Sequence, residues 1–374
     1  MTKYIAWMIP EMIEGSGGIR TMLAKAEALT ERGMVCDYYF YKYPQSMLSD
    51  LVAKAERYFQ VKGGDFYCGS QLQKKYDLAV ATAWDSVKVV RDLNVPHKVQ
   101  FIQDYEAWFN PLGDAHLWSE TSFFFGVKPI TLGKWLNRYI EVNFGERPYL
   151  CNFGVDKSCY QHYPNTPRED AVCMIFQPEK PRRCVMTAIE ALGIVKHHRP
   201  QTKIYLYGSK EKPAFWFDLE NLGIMTPQEL CQLYNRVRVG FCISASNPSR
   251  IPFEMMACGL PVVDIYRNNN LYDYPDGSIL LAHQAPESIA TAILQVLEEP
   301  QLANSLSRGG LNFVSDRDLA KEHEDFCQAI EMVLSGVAPK HGMVRNNYQQ
   351  KAILSPAYAN QQVQDFCQKQ MTLI

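Results

Sequence analysis

A chain of 374 residues, 47% hydrophobic and 12% aromatic, has ample material for packed cores, and its length favours two domains over one. Lysine plus arginine (38) balance aspartate plus glutamate (40), and a net charge of -2 argues against a nucleic-acid binder, whose affinity rests on a basic surface. No run of eighteen apolar residues occurs, and the opening Lys3–Ile9 run is too short for a signal peptide, so a cytoplasmic protein without a membrane span is expected. The eleven cysteines are scattered and form no Cys-x-x-Cys pair, which reads as reduced core residues rather than a zinc site.

In chain order, the first half predicts strands at Lys3–Ile9, Val35–Tyr41, Asp77–Thr82, Lys98–Ile102, Pro129–Leu132 and Tyr149–Cys151. A helix is expected over Thr21–Arg32, with Met22, Ala26 and Leu29 on one face and Gly33 as its stop. The polar, proline-bearing run His162–Pro167 reads as a domain boundary. The second half restarts with strands at Ala171–Phe176, Lys203–Tyr207, Val237–Ile243, Val262–Ile265 and Ile279–Leu281, and a helix over Arg183–Val195 that buries Val185, Ile189 and Leu192. Strands alternating with helices predict two doubly wound α/β domains facing across a cleft, with ligands outside the carboxyl ends of the strands.

Two segments point to a ligand. Gly15–Arg20 places three glycines between the first strand and the first helix, where backbone can approach an anion or a sugar; its spacing is neither a dinucleotide fingerprint nor a P-loop. In Asn247–Val263, Pro252 fits the first helical position, which makes Ile251 the cap. Isoleucine cannot cap, so the first-turn N–H groups are expected to face a phosphate, and Glu254 in that turn to accept from a ribose diol or simply to complement the helix dipole. Asp316–Arg317–Asp318 matches an Asp-x-Asp metal motif but sits at a helix start, where aspartates are ordinary caps; no metal is expected there. His197–His198 at a helix end reads as a solvated pair.

Phe253–Val263 resembles the Glu-Ala-Met-Ala-Cys-Gly-Leu-Pro-Val-Val signature of family-4 retaining glycosyltransferases, which have the GT-B fold, and Pro252 before Glu254 is similar to their rhamnosyltransferase-like branch. Gln103–Asp104–Tyr105–Glu106, Asn152–Asp156 and Pro181–Arg182–Arg183 resemble further motifs of that branch, in the same order. The resemblance spans roughly residues 1–335. It implies an N-terminal acceptor-side domain (1–155), a nucleotide-sugar domain (156–310) and a segment (311–335) that packs back on the first. Glu254 would hold the ribose hydroxyls and Arg183 the diphosphate. Gly17, Gly18, Tyr207, Gly208, Leu222, Gly223, Arg250 and Ile251 would complete the donor site. Arg20, Gln103, Asp104, Tyr105 and Glu106 would face the acceptor or the transferred sugar, with Asp104 in the catalytic set. Departures from the family pattern are Ser246, where a first glutamate is usual, Gln177, where a basic residue is usual, and Gln103 in place of histidine.

The function implied is transfer of a hexose or deoxyhexose from a nucleoside-diphosphate sugar to an oligosaccharide or lipid-linked glycan in surface-polysaccharide (O-antigen) synthesis, with retention and without metal or other cofactor. An inactive homologue that binds glycan or nucleotide is the alternative. A nucleotide-sugar epimerase is disfavoured, because no Gly-x-Gly-x-x-Gly fingerprint is present. Residues 336–374 carry Lys340, Arg345, Lys351 and Lys369 against the single acid Asp365, with Ala359, Val363 and Phe366 as an apolar stripe. This extension reads as a helix packed on the body or on a second subunit; the weaker reading is peripheral contact with anionic lipid.

Overall fold

The computed structural model describes residues 2–211, 214–339, 344–357 and 361–371. The chain divides into two compact units, one from residues 1–152 and 320–343, the other from residues 153–319 and 344–374. His162–Pro167 therefore lies inside the second unit rather than at a boundary, and the return to the first unit begins at Ala320 rather than near 311.

In the first unit the chain runs β1 (Tyr4–Ile9), α1 (Gly17–Glu31), β2 (Val35–Phe40), α2 (Leu48–Phe59), β3 (Phe66–Cys68), β4 (Leu78–Ala81), α3 (Trp84–Asp92), β5 (His97–Ile102), α4 (Asp114–Thr121), β6 (Lys128–Leu132), α5 (Lys134–Phe144) and β7 (Tyr149–Cys151). The strands form one parallel sheet in the order β3-β2-β1-β4-β5-β6-β7. β4 is buried throughout and β1 beyond its first residue, as a parallel sheet covered on both faces requires.

In the second unit follow β8 (Glu169–Ile175), α6 (Val185–His198), β9 (Lys203–Tyr207), β10 (Glu220–Asn221), α7 (Pro227–Arg236), β11 (Val237–Phe241), α8 (Arg250–Ala257), β12 (Val262–Ile265), α9 (Asn268–Leu271), β13 (Leu280–Ala282), α10 (Pro286–Glu298) and α11 (Pro300–Val314). Its parallel sheet has the order β10-β9-β8-β11-β12-β13. Its core joins Val172, Met174, Val239, Phe241 and Val263 of the sheet to Ile189 and Leu192 of α6 and Ile289 and Ile293 of α10. β3 and β10 are absent from the sequence reading because two or three residues carry no periodicity; backbone pairing to β2 and β9 makes them strands.

α12 (Leu319–Leu334) belongs to the first unit from Ala320 onward. There Lys25 of α1 and Glu322 of α12 form an ion pair at 2.8 Å, both side chains fully buried, with Phe326 edge-on to Phe101 and tilted against Trp7. At the junction Val155 pairs with Asp318 in a backbone bridge.

From Val344 on, the extension packs on the second unit, whereas Val337 still belongs to the first, its carbonyl accepting from the Tyr149 hydroxyl at 2.8 Å. Ile353 forms a parallel bridge with Ala282 of β13, taking a hydrogen bond from His283 N and donating one to Leu281 O, so it continues the sheet at that edge. The Tyr348 hydroxyl accepts from Leu281 N at 3.3 Å, and the ring is fully buried. The expected helix is present as α13 (Gln361–Gln370), with Cys367 rather than Phe366 as its buried residue; Lys340 and Ala359 lie outside the described residues. Among the described residues no helix is long and apolar enough to cross a membrane.

Candidate functional site

The strand order places the loops after β9, β8, β11 and β12 side by side at the carboxyl end of the second sheet, where doubly wound folds bind ligands. Pro181–Arg183 after β8 is a single 3-10 turn, not the start of the helix. Cys184 follows in the left-handed region (φ 46°), and α6 begins only at Val185, without a side-chain cap. A non-glycine residue there costs on the order of 1 kcal/mol or more, and such strain collects at functional sites. The helix expected from Arg183 therefore begins two residues later, and Arg183 stands in the turn before it.

Arg183 donates from Nη1 to the Ser249 hydroxyl (3.1 Å) and to Cys242 Sγ (3.8 Å), while its buried Nε has no hydrogen-bond partner among the described residues. Half-buried Lys180, which the sequence reading missed, stands in the same turn. Burial lowers its pKa; Glu179 opposes this, and repulsion from Arg182 and Arg183 adds to it. Three cations in one partly buried turn suit a polyanion.

The next loop belongs to β11 and α8. α8 starts at Arg250, two residues earlier than expected, because Ser249 supplies the cap by accepting from Ile251 N (3.4 Å). Pro252 is then the third helical residue, still where a missing N–H goes unmissed. The expected set of uncapped N–H groups at this helix is thus corrected: α8 has a serine cap, whereas α6 and α9 beside it start without a side-chain cap. Glu254 moves into the second turn, beyond reach of the helix-dipole reading. Half-buried there, it faces Tyr160, whose hydroxyl burial holds well above the ordinary tyrosine range, with the Glu254 carboxylate raising it further. Arg250 donates to Gly154 O of the same unit at 2.7 Å, while the half-buried Ile251 gives its N–H to the cap.

Beneath both loops lies Asp264 of β12, fully buried, which the sequence reading also missed. Its Oδ1 accepts from Ser244 N (2.9 Å) and Ile265 N (2.7 Å), and Oδ2 has no partner among the described residues. Burial pushes its carboxyl up to about 7, against the hydrogen bonds and the Arg183 charge. Ser244 Oγ in turn accepts from Ser249 N (3.3 Å).

After β9, Gly208 (φ 102°) donates to Gly223 O (2.7 Å), and Leu222 N donates to Leu206 O, so these expected donor residues share one corner. Tyr207 itself is buried, its hydroxyl 2.8 Å from that of Tyr234; its ring is support and lines no surface.

In the first unit, α1 begins at Gly17, four residues earlier than expected, because Ser16 caps it by accepting from Ile19 N (3.4 Å). Glycines in the first turn are exposed; a Cβ on Gly17 would meet nothing within 4 Å. Gln103 Nε2 donates to Gly18 O (3.1 Å), which unites two expected regions. Asp104 accepts from Tyr105 N through Oδ1 (2.9 Å) and remains half-buried. The Tyr105 side chain, expected to face the acceptor, is instead fully buried among Trp108, Phe123, Trp135 and Tyr139, and its hydroxyl donates to Glu120 (2.7 Å), so its ring presents no surface. Glu106 accepts from Trp84 N (2.6 Å) and so caps α3, whose own cap residue is alanine. Arg20 lines a cavity of about 240 Å³ with Glu27, Tyr38, Tyr58 and Lys62, and none of residues 103–106 lines it.

Residues 170–294 match a family described as WsaF, C-terminal domain. The chain is 25% identical over 324 residues to the O-antigen biosynthesis protein RfbC of Myxococcus xanthus, which covers 83% of this chain and a quarter (25%) of that protein's length. Among solved structures it resembles Anabaena HepE in complex with UDP-glucose (13% identity, TM-score 0.66, 88% of this chain and 99% of that one). It also resembles Staphylococcus aureus TarM in complex with Fondaparinux, alpha-GlcNAc-glycerol and UDP (10% identity, TM-score 0.68, 89% and 100%). The chain has the GT-B fold of glycosyltransferases.

Proposed function

We propose that this protein transfers a hexose or deoxyhexose from a nucleoside-diphosphate sugar to an oligosaccharide or lipid-linked glycan in surface-polysaccharide synthesis. A fold alone does not set a reaction. The observation that carries the reading is chemical: the Lys180–Arg183 turn suits a polyanion, while the half-buried carboxylate of Glu254 on the adjoining loop's helix, already facing the Tyr160 hydroxyl, is an acceptor suited to hydroxyl donors. A nucleoside diphosphate offers both, and the stretch 170–294 that matches the WsaF domain contains every one of these residues.

In this reading Glu254 accepts from the ribose diol, and Lys180 and Arg183 balance the charge that grows on the departing diphosphate, so no metal is required. The acceptor oxygen forms its bond to the anomeric carbon as the bond from that carbon to the phosphate oxygen breaks. The acceptor proton passes to the leaving phosphate, with retention. Asp104, Gln103 and the open backbone at Gly17 are assigned to the acceptor and the sugar. A second reading, binding without turnover, draws on buried Ser246 in the position where the family carries a first glutamate.

Calorimetry with UDP, GDP and dTDP tests the site. Glu254→Ala should weaken the preferred diphosphate by about 1–3 kcal/mol, since a charged acceptor for two hydroxyls is lost. Unchanged affinity in a folded variant would remove Glu254 from the site. Release of diphosphate from nucleotide sugars separates the enzyme from the binding module.

A further inference from the structure

Retention of a fully buried carboxyl group with one oxygen unpartnered calls for an explanation, because burial of such a group is unfavourable and an apolar side chain would fit a sheet core better. Asp264 is not isolated. Its Oδ1 holds the amide of Ser244, the Ser244 hydroxyl holds the amide of Ser249, and the Ser249 hydroxyl accepts from Arg183. Side-chain amides of Asn269 (2.8 Å) and Asn270 (3.3 Å) grip the carbonyl of the same Ser244, fixing the loop from its other side. Every link ends on the segment 244–249, and that segment is what Arg183 leans on. Among the described residues the other hydrogen bond of the guanidinium is the soft contact to Cys242 Sγ (3.8 Å). Arg183 ends a single 3-10 turn just before the left-handed Cys184, so it has no helix to stand on and gains from an external support.

We propose that Asp264 is the positioning residue for Arg183, acting through Ser244 and Ser249 to hold the guanidinium where the diphosphate of the donor sits. The assignment rests on the nucleotide-sugar reading above. Asp264 touches no ligand; its contribution is to order the arginine before the ligand arrives, which matters because a group held in place loses less entropy on binding.

The test is titration calorimetry of the full chain with UDP, GDP and dTDP, each beside its parent nucleoside. Asp264→Ala should weaken the preferred diphosphate about tenfold and leave the nucleoside unchanged, since only the diphosphate meets Arg183. Asp264→Asn keeps an oxygen for both amides and should recover most of that loss. In an Arg183→Ala background, Asp264→Ala should cost nothing further. Equal losses for nucleoside and diphosphate would make Asp264 a merely structural residue, and full diphosphate affinity in Asp264→Ala would remove it from the relay. Should that variant not fold, Ser249→Ala must show the same diphosphate-selective loss, and wild-type binding by it would overturn the proposal. A wild-type chain that binds none of the three diphosphates would instead refute the nucleotide-sugar reading itself.

Discussion

Lys25→Met is the sharpest test of how α12 is held in the first unit. Lys25 and Glu322 meet at 2.8 Å with no exposure of either side chain, so neither charge has water to fall back on. Their attraction at this distance is about 6 kcal/mol with an effective dielectric constant of about 20, and much of it only offsets the desolvation of both ions. Removing one partner leaves that desolvation without its return, which costs about 3–5 kcal/mol. For a unit in the class of about 150–250 residues, each kcal/mol shifts the melting temperature by about 2–4 °C, so the transition of the first unit should fall by roughly 6–20 °C. Glu322→Leu should fall similarly, whereas the double variant Lys25→Met/Glu322→Leu should return to within about 2 kcal/mol of wild type, because an apolar pair replaces the ion pair at comparable volume. Differential scanning calorimetry of the four proteins closes the cycle. Single variants that melt within about 2 °C of wild type, or a double variant whose loss equals the sum of the singles, would refute the argument.

Arg183→Ala should reduce kcat far more than it raises KM, and Arg183→Lys should retain part of the rate, because the charge on a leaving diphosphate grows only as the glycosidic bond breaks. Arg182→Ala should be milder, since the bonds to Ser249 and Cys242 belong to Arg183; a dead Arg182→Ala beside a near-normal Arg183→Ala in steady-state kinetics would transfer the role. Activity should survive excess EDTA, with Asp318 engaged through its backbone at the Val155 bridge; loss of activity that added Mn²⁺ or Mg²⁺ restores would show a metal requirement.

Strands with long apolar runs were legible in the sequence, several to within a residue, because a parallel sheet buried on both faces leaves its signature in composition. Helix starts were not. At α1 and α8 a serine cap just upstream (Ser16, Ser249) set the boundary, and the weak helix formers after it, Gly17–Gly18 and Pro252, misled the reading although a first turn tolerates them. Within the candidate site, Arg183 and Glu254 were found through motif likeness, while Lys180 and Asp264 were missed. Lys180 lay beside a more conspicuous arginine pair. Asp264 closes the run Val262–Ile265 and reads as one polar residue in a core strand; only the fold shows that Ser244 reaches it from across the sheet. Tyr105 and Tyr207 erred the other way: each belongs to a ligand-facing motif, yet both rings are buried, since a side chain near a strand end can pack inward while its neighbours face solvent.

Locally unfavourable features are unevenly placed in the second unit, and that unevenness is itself evidence about the site. A non-glycine residue in the left-handed region (Cys184), a carboxyl group buried without full hydrogen bonding (Asp264), a lysine whose pKa burial lowers (Lys180) and a buried arginine nitrogen without a partner (Arg183) all lie in or beneath the loops after β8, β11 and β12. Elsewhere in that unit such features are sparser: α7 has a capping box from Thr226 and Glu229, and Arg168, whose pKa burial also lowers, gives its guanidinium to three backbone carbonyls, while Glu287 and Asn346 each keep a buried oxygen without a partner among the described residues. Two of these exceptions, at Lys180 and Arg183, are relieved when a diphosphate supplies negative charge and acceptors. Such relief predicts that the second unit gains more stability from a nucleoside diphosphate than from the nucleoside alone, the difference being the part of the binding energy that the arginine turn contributes.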